Sequence, residues 1–308
     1  MNIKINNKID KDIWNNLVER KIFFRFEWFY IIQESYRLDP YFILMQKNDK
    51  FALIASFKTT KGYISMPFVS YSGFLSNDEE LLQELKTYLK KEGISIDSRD
   101  LIKNEVKEGY VNPIVTIPSF DDFWKNISSN TRNQFKKSQK SGFGFKKEEG
   151  IENFYKLYSL GMRNLGTPAH SKKYFNELMK YLPYCVFTIF DSDKAIGSMF
   201  CLRDDDTLAV LYAYTLPSYS KKYANYFLYL NAIKWLTENG LRYLDMGRST
   251  YNEGTYHFKK KFKPVFYGIN SKINYGKNTK LQIASKIWKK LPLSVANSIS
   301  PMIRKYLP

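Results

Sequence analysis

The chain has 308 residues, 44% of them apolar and 17% aromatic, enough to fill packed interiors and to exclude disorder over most of its length. Its 48 Lys and Arg against 30 Asp and Glu give a formal net charge of +18. That field favours anionic partners: phosphorylated co-substrates, RNA or an anionic membrane surface.

The start, MNIKINNKIDKDIW, lacks the apolar core of a signal peptide. The longest uncharged run, Gly62 to Asn77, carries Pro67 and Gly73 and is too short to span a bilayer. The expectation is a cytoplasmic protein, peripheral on the inner membrane face if it meets a membrane at all. Cys185 and Cys201 each lie in an apolar run and read as buried reduced thiols. With only two histidines in the chain, no metal site is expected.

In chain order, YFILMQ, the turn KNDK, FALIASF and YISMPFVSY predict consecutive strands. A helix follows in DEELLQELKTYLKKEG, with Leu81, Leu82, Leu85 and Leu89 on one face, then the short strand ISIDS. Residues 120–182 hold an acid-free basic stretch from Lys125 to Lys147. They also hold two helical patterns, 151–160 and 171–182, the second with Ser171 as its N-cap.

The outline then repeats. YCVFTIF, the turn DSDK, AIGSMFCL and TLAVLYAYT predict strands, KKYANYFLYLNAIKWLTENG a helix, and LRYLDMG a closing strand. Two such units predict an α/β protein of two tandem lobes, each a mixed sheet flanked by helices, with a cleft between them. The expected boundaries are 1–119 for the first lobe, 120–150 for a basic connecting segment, 151–275 for the second lobe with the active site, and 276–308 for a basic helical tail. In that tail Leu281, Ala284, Ile287, Trp288 and Leu291 form one helical face beside Lys286, Lys289 and Lys290. Such a face suits an anionic lipid interface or the flank of the second lobe.

The densest chemistry lies in DMGRSTYNEGTYHFKKKF, residues 245–262. Asp245, near the end of a strand, is placed to orient or deprotonate an amine, or to accept N–H groups at a turn. Gly247, Arg248, Ser249 and Thr250 suit a phosphate or carboxylate, which an Arg fork grips in bidentate fashion, the other reading being an Arg248 paired with Asp245 or Glu253. Read as a strand, GTYHFKKKF turns Tyr256 and Phe258 one way and His257 and Lys259 the other. Tyr256 would then protonate a leaving group and Lys259 pair with its anion, while His257 reads as a general base or as a surface histidine. Arg132 and the Lys136–Lys137 pair are candidates for donor phosphates or RNA. Arg163, Thr167 and His170 are candidates for the acceptor side, and Tyr71 and Tyr214 for the floor of the cleft.

The repeated lobes and this motif, together with MPFVSYSGF (66–74), SNTRNQFKKSQKSGF (129–143), RNLGTPAHSKKYF (163–175) and IWKKLPLSVANSISP (287–301), resemble the FemAB-like branch of the GNAT superfamily. That branch includes peptidoglycan-bridge aminoacyltransferases and acetyltransferase-like proteins encoded beside exopolysaccharide genes. The resemblance implies tandem GNAT-like lobes and transfer of an activated acyl or aminoacyl group to an amine of a cell-envelope glycan, a lipid-linked precursor or an amino sugar. It implies no tightly bound cofactor, the donor being acyl-CoA or aminoacyl-tRNA as co-substrate. The loop LPSYSKKYANYF (216–227), where an acetyl-CoA-binding member has a glycine-rich turn, contains no glycine. Lys221 and Lys222 supply charge there, but the close backbone approach of a phosphate is lost. This fits aminoacyl-tRNA users better. The competing reading is a non-catalytic RNA-binding module built on the basic stretches, although RRM, KH and zinc-knuckle signatures are absent.

Overall fold

Apolar strands joined by tight turns dominate both halves of the computed structural model, which describes residues 2–6, 10–18, 21–103, 108–271 and 279–307. The first sheet contains β1 (Asn2–Asn6), β2 (Pro40–Lys47), β3 (Lys50–Thr59), β4 (Gly62–Ser65), β5 (Phe74–Ser76) and β6 (Ile96–Asp97). Their order is β1-β2-β3-β4-β6, with β5 also on β3. Helices α1 (Lys11–Leu17), α2 (Glu27–Tyr36) and α3 (Glu79–Lys91) flank it. The expected KNDK turn closes the β2–β3 hairpin between Lys47 and Lys50, with Asn48 at φ 54°. The strand expected over YISMPFVSY stops at Ser65, because Met66 and Phe68 take positive φ and break the extended backbone. The freed loop, residues 66–72, crosses toward the second lobe.

The second sheet contains β7 (Asp100–Ile102), β8 (Tyr110–Thr116), β9 (Gly144–Glu148), β10 (Tyr184–Asp191), β11 (Lys194–Arg203), β12 (Thr207–Thr215), β13 (Tyr243–Asp245), β14 (Ser249–Thr250) and β15 (Val265–Asn270). Its order is β7-β15-β8-β13-β12-β11-β10-β9, with β14 on β8. The helices are α4 (Phe120–Asn126), α5 (Ser129–Gln139), α6 (Glu152–Leu165), α7 (Lys172–Tyr181), α8 (Ala224–Glu238) and α9 (Gly254–Lys260), with α10 (Thr279–Trp288) and α11 (Leu293–Arg304) in the tail. The DSDK turn again makes a two-residue hairpin, Asp191 facing Lys194.

The expected boundary at 119 moves. Residues 100–102 and 110–116 pair with the second sheet, and β15 returns from the end of that lobe to lie between them. Val111 and Val115 of β8 are buried there, and β8 covers the edge that β13 would otherwise expose. Nor is 120–150 a mere connector: α4 and α5 pack on α8, and β9 extends the sheet beyond β10.

The lobes meet in a packed core rather than across an open cleft. Trp14, Trp28 and Phe57 of the first lobe share one cluster with Phe154, Phe175 and Phe200 of the second. Fully burying each such ring contributes about 1.5–3 kcal/mol, so the join is strongly apolar. Two polar links cross it: Arg25 pairs with Asp204, and inside the core the Tyr36 hydroxyl bonds His170.

The tail packs on the second lobe. Ser300 Oγ accepts from the Ala169 amide at 3.1 Å, and Arg304 Nε donates to His170 Nε2 at 3.1 Å. The apolar face expected along α10 is split, for Trp288 is buried while Ile287 is 61% exposed.

Candidate active site

The site begins where two parallel strands part. β12 and β13 pair over three positions, Thr207 with Tyr243, Leu208 with Leu244 and Ala209 with Asp245. β13 then turns away at Gly247, at φ 71°. A Cβ there would stand 2.6 Å from the Val210 carbonyl oxygen, so only glycine allows the turn at this distance. The divergence opens a cavity of about 540 Å³. Tyr212 and Tyr214 of β12, Tyr229 of α8, Phe258 and Lys259 of α9, and Arg248 line it, with Met162 and Leu165 of α6 at one side. Every lining residue lies between 158 and 259. The hollow therefore belongs to the second lobe and not to a cleft shared by two.

Behind the wall is a buried polar cluster. Asp245 is 1% exposed, and its Oδ1 accepts from Asn112 Nδ2 and from the Gly247 amide, both at 2.8 Å. Its Oδ2 has no hydrogen bond of good geometry among the described residues. The Tyr71 phenol, brought across on the 66–72 loop, lies against this carboxyl. Burial pushes the Asp245 carboxyl above the usual range, opposed by these hydrogen bonds and by Lys259. Lys259 Nζ donates to the carbonyls of Gly247 at 2.8 Å and Arg248 at 3.2 Å. Burial lowers its ammonium to about 7, against the pull of Asp245 and with the push of Arg248. The half-buried Arg248 guanidinium lies 4.8 Å from the centre of the Tyr110 ring. Its backbone amide donates to Ser70 Oγ at 3.4 Å, a second contact from the first lobe.

Beneath Tyr158 and Tyr212 is the fully buried His170. Its Nε2 receives Arg304 Nε and lies 2.7 Å from the Tyr212 hydroxyl, which leaves the proton on Nδ1, toward Tyr36. Burial and the Arg304 charge both hold its pKa well below the ordinary value, so the ring is neutral.

The residues expected from the sequence divide accordingly. Arg248, Lys259 and Tyr214 line the cavity, while Asp245, Tyr71 and His170 buttress it. GTYHFKKKF is the helix α9 and not a strand, so Thr255, Phe258 and Lys259 face the cavity together. Tyr256 points elsewhere, its ring 4.7 Å from that of Phe266, and the expected proton donation from it has no geometric basis. Ser249 and Thr250 form β14 against Val111 and Tyr110, outside the cavity lining. Arg132 Nη1 donates to the carbonyls of Trp124, Lys125 and Ile127 at 2.6–3.2 Å, closing the end of α4. Arg163 likewise binds the Lys289 carbonyl at 3.1 Å, and the Thr167 amide binds the Met162 carbonyl at 2.9 Å, ending α6. These three are structural. Lys221 and Lys222 are exposed on the 3-10 turn Pro217–Lys222, with Lys222 3.8 Å from Asp191.

Sequence reasoning missed Asn112, Tyr110, Tyr158 and Tyr212. Asn112 had a signal: a lone amide inside the buried strand YVNPIVT needs a partner. The tyrosines had none beyond ordinary core patterning.

Among the described residues no group of three metal-ligating side chains gathers, and no helix is long and apolar enough to cross a membrane. Residues 125–260 match the family described as acetyltransferase (GNAT) domain. No curated protein matches the chain. Among solved structures, FemX is similar with a TM-score of 0.65 at 12% identity, covering 88% of this chain and 96% of that one. A conserved protein of unknown function from Bacteroides thetaiotaomicron follows with 0.58 at 11% identity, over 88% and 100%. The C-terminal domain (DUF2156) assigned to a lysylphosphatidylglycerol synthetase from Agrobacterium fabrum has 0.54 at 10%, over 96% and 97%. Residues 125–260 are thus similar to a GNAT-type acetyltransferase domain, in a two-lobed fold that resembles that of FemX.

Proposed function

We propose that the protein transfers an activated acyl or aminoacyl group to an amine of a cell-envelope glycan, a lipid-linked precursor or an amino sugar. The observation that carries this reading is the cavity at the β12–β13 parting, with Arg248 and Lys259 together in its wall. Past Ala209 the edge of β12 has no β13 partner, so its peptide groups are free to align an amide-bearing donor. Arg248 grips the anionic portion of that donor, held in place by the Tyr110 ring.

The amine nitrogen attacks the donor carbonyl carbon, and the bond from that carbon to the leaving oxygen or sulfur breaks. The Lys259 ammonium stabilises the developing anion and protonates the leaving atom, and the proton lost by the amine passes to solvent water. An α-amino acceptor, with a pKa of about 7.7–8.0, has enough neutral form near pH 7 to need no strong base. Asp245 positions the Gly247 turn and sustains the charge on Lys259 rather than touching substrate.

The donor favoured is aminoacyl-tRNA, with acyl-CoA as the alternative. Lys136 and Lys137 of α5, with Lys140 just past its end, line a hollow of about 340 Å³ beside Tyr223, immediately before α8. A polyanion suits such a surface. Assaying labelled acyl-CoA and charged tRNA against amino-sugar and lipid-linked acceptors separates the two donors. Arg248→Ala is expected to abolish transfer and to lose binding of the donor that the wild type turns over. Salt-sensitive RNA binding with no turnover of either donor supports the binding-module reading instead.

A further inference from the structure

Of the nine large hydrophobic residues exposed among the described residues, five lie on the tail, and Leu165 adjoins them. Both tail helices press one side against the region of α6. On α10, Ser285 Oγ reaches the Leu165 carbonyl at 3.4 Å, and Arg163 holds the Lys289 carbonyl. On α11, Asn297 Nδ2 reaches Ser159 Oγ at 3.5 Å, and Ala296 and Ser300 are buried. The opposite sides therefore face outward. These carry Ile283 and Ile287 on α10, and Val295 and Met302 on α11, one turn and two turns apart along their helices. Ile287 is 61% exposed and Met302 69%. Five of the nine exposed large apolar side chains thus fall in one short segment, unlike the single scattered ones of an ordinary surface.

The charge around it has one sign. No acidic residue follows Glu253, and Lys286, Lys290 and Lys305 flank the apolar side chains. Outward apolar side chains whose charged neighbours along the tail are all basic complement an interface that is greasy below and anionic above, which is the boundary of an anionic bilayer. A soluble acidic partner would match the charge but leave the isoleucines and Met302 without an apolar counterpart of lipid depth.

Leu165 ties this surface to the cavity. It is 64% exposed next to α10, and it also lines the hollow at the β12–β13 parting. We infer that the outer faces of α10 and α11, with Leu165, dock the protein on an anionic membrane surface, bringing the cavity mouth to the lipid boundary. The docking stands on the tail alone. Its consequence, that the acceptor amine is carried on a lipid, rests on the transferase reading.

The test is co-sedimentation of the full chain with vesicles of phosphatidylcholine, with and without phosphatidylglycerol. Pelleting is expected only with phosphatidylglycerol, falling as salt rises. The triple variant Lys286→Gln/Lys290→Gln/Lys305→Gln should weaken it on the order of 100-fold, and Ile283→Ser/Ile287→Ser/Met302→Ser should abolish it. The lysine variant changes only surface charge, so it keeps the test decisive if the serine variant fails to fold. Equal pelleting by wild type and the lysine variant, or none above the phosphatidylcholine control, overturns the proposal. So does a wild-type dimer in size-exclusion chromatography that the serine variant loses, since the face would then bind a second copy. Docking without turnover of any donor leaves this surface standing and removes the transferase reading, whereas turnover of a soluble acceptor without docking does the reverse.

Discussion

Lys259 is the residue whose charge the chemistry depends on. Its ammonium, lowered to about 7 by burial, is half lost near neutral pH. If the charged form protonates the leaving group, transfer divided by the neutral fraction of the acceptor amine falls as pH rises through about 7. Arg stays charged far above that range and does not release its proton, so Lys259→Arg should abolish this limb and, like Lys259→Met, lose at least about 100-fold in kcat. A normalised rate that rises through the same range would make the neutral amine a base instead. Arg132 provides the contrast. Arg132→Ala should cost about 2 kcal/mol by stripping three carbonyl bonds from the end of α4, with kcat unchanged. Chemical denaturation and the transfer assay separate the two effects.

Residue type alone could not separate Arg248 from Arg132 and Arg163. All three are arginines in stretches that hold Asn, Ser or Thr. Two of them spend their guanidinium groups on carbonyls at helix ends, partners that are invisible until the helices have limits. Lys259 was legible as a charge near the site, but its shifted pKa comes from burial beneath α9.

At the scale of elements, hairpins and amphipathic helices were the readable part. The two-residue turns of KNDK and DSDK formed as expected, and Leu81, Leu85 and Leu89 bury one face of α3. GTYHFKKKF misled because it satisfies both periods. Tyr, His, Phe and Lys alternate as in a strand, while Thr255, Phe258 and Lys259 also share a helical face. In α6, Gly161 lies flat against Tyr214 of β12, where a Cβ would come within 2.5 Å of the ring. Gly161→Leu should force that ring into the cavity. We expect at least about a tenfold loss of transfer and about 1–3 kcal/mol of destabilisation, read from kinetics and melting on the same sample. Unchanged kinetics would mean that the hollow is not where substrate binds.

For the whole molecule, the two-lobed α/β organisation was legible in the repeated outline, but the exchange of strands was not. β7, β8 and β15 pair across more than a hundred residues of sequence, and local pattern carries no record of such distant partners. The expected cleft was replaced by a common core for the same reason: Trp28 and Phe200 read as buried, without indicating that they share one interior.

His170 joins the two lobes and the tail through Tyr36, Tyr212 and Arg304. It is neutral in the fold, its pKa well below that of the unfolded chain, near 6.5. Between those two values the unfolded state binds the extra proton. This contribution to stability is therefore full above about pH 6.5 and is lost as pH falls below it. The melting midpoint of the wild type should drop more steeply from pH 7 to pH 5.5 than that of His170→Gln. Parallel slopes would remove His170 from the account.

The central claim is that the cavity beside Arg248 binds the anionic part of an acyl donor. A thermal-shift titration of wild type and Arg248→Ala with acyl-CoA and with charged tRNA tests it most directly, because a ligand held at a hundredfold its Kd stabilises the fold by ~2.7 kcal/mol. The account predicts that one donor class raises the wild-type midpoint by several degrees and leaves the variant where it was. An equal rise in both proteins, or none with either donor, would contradict it.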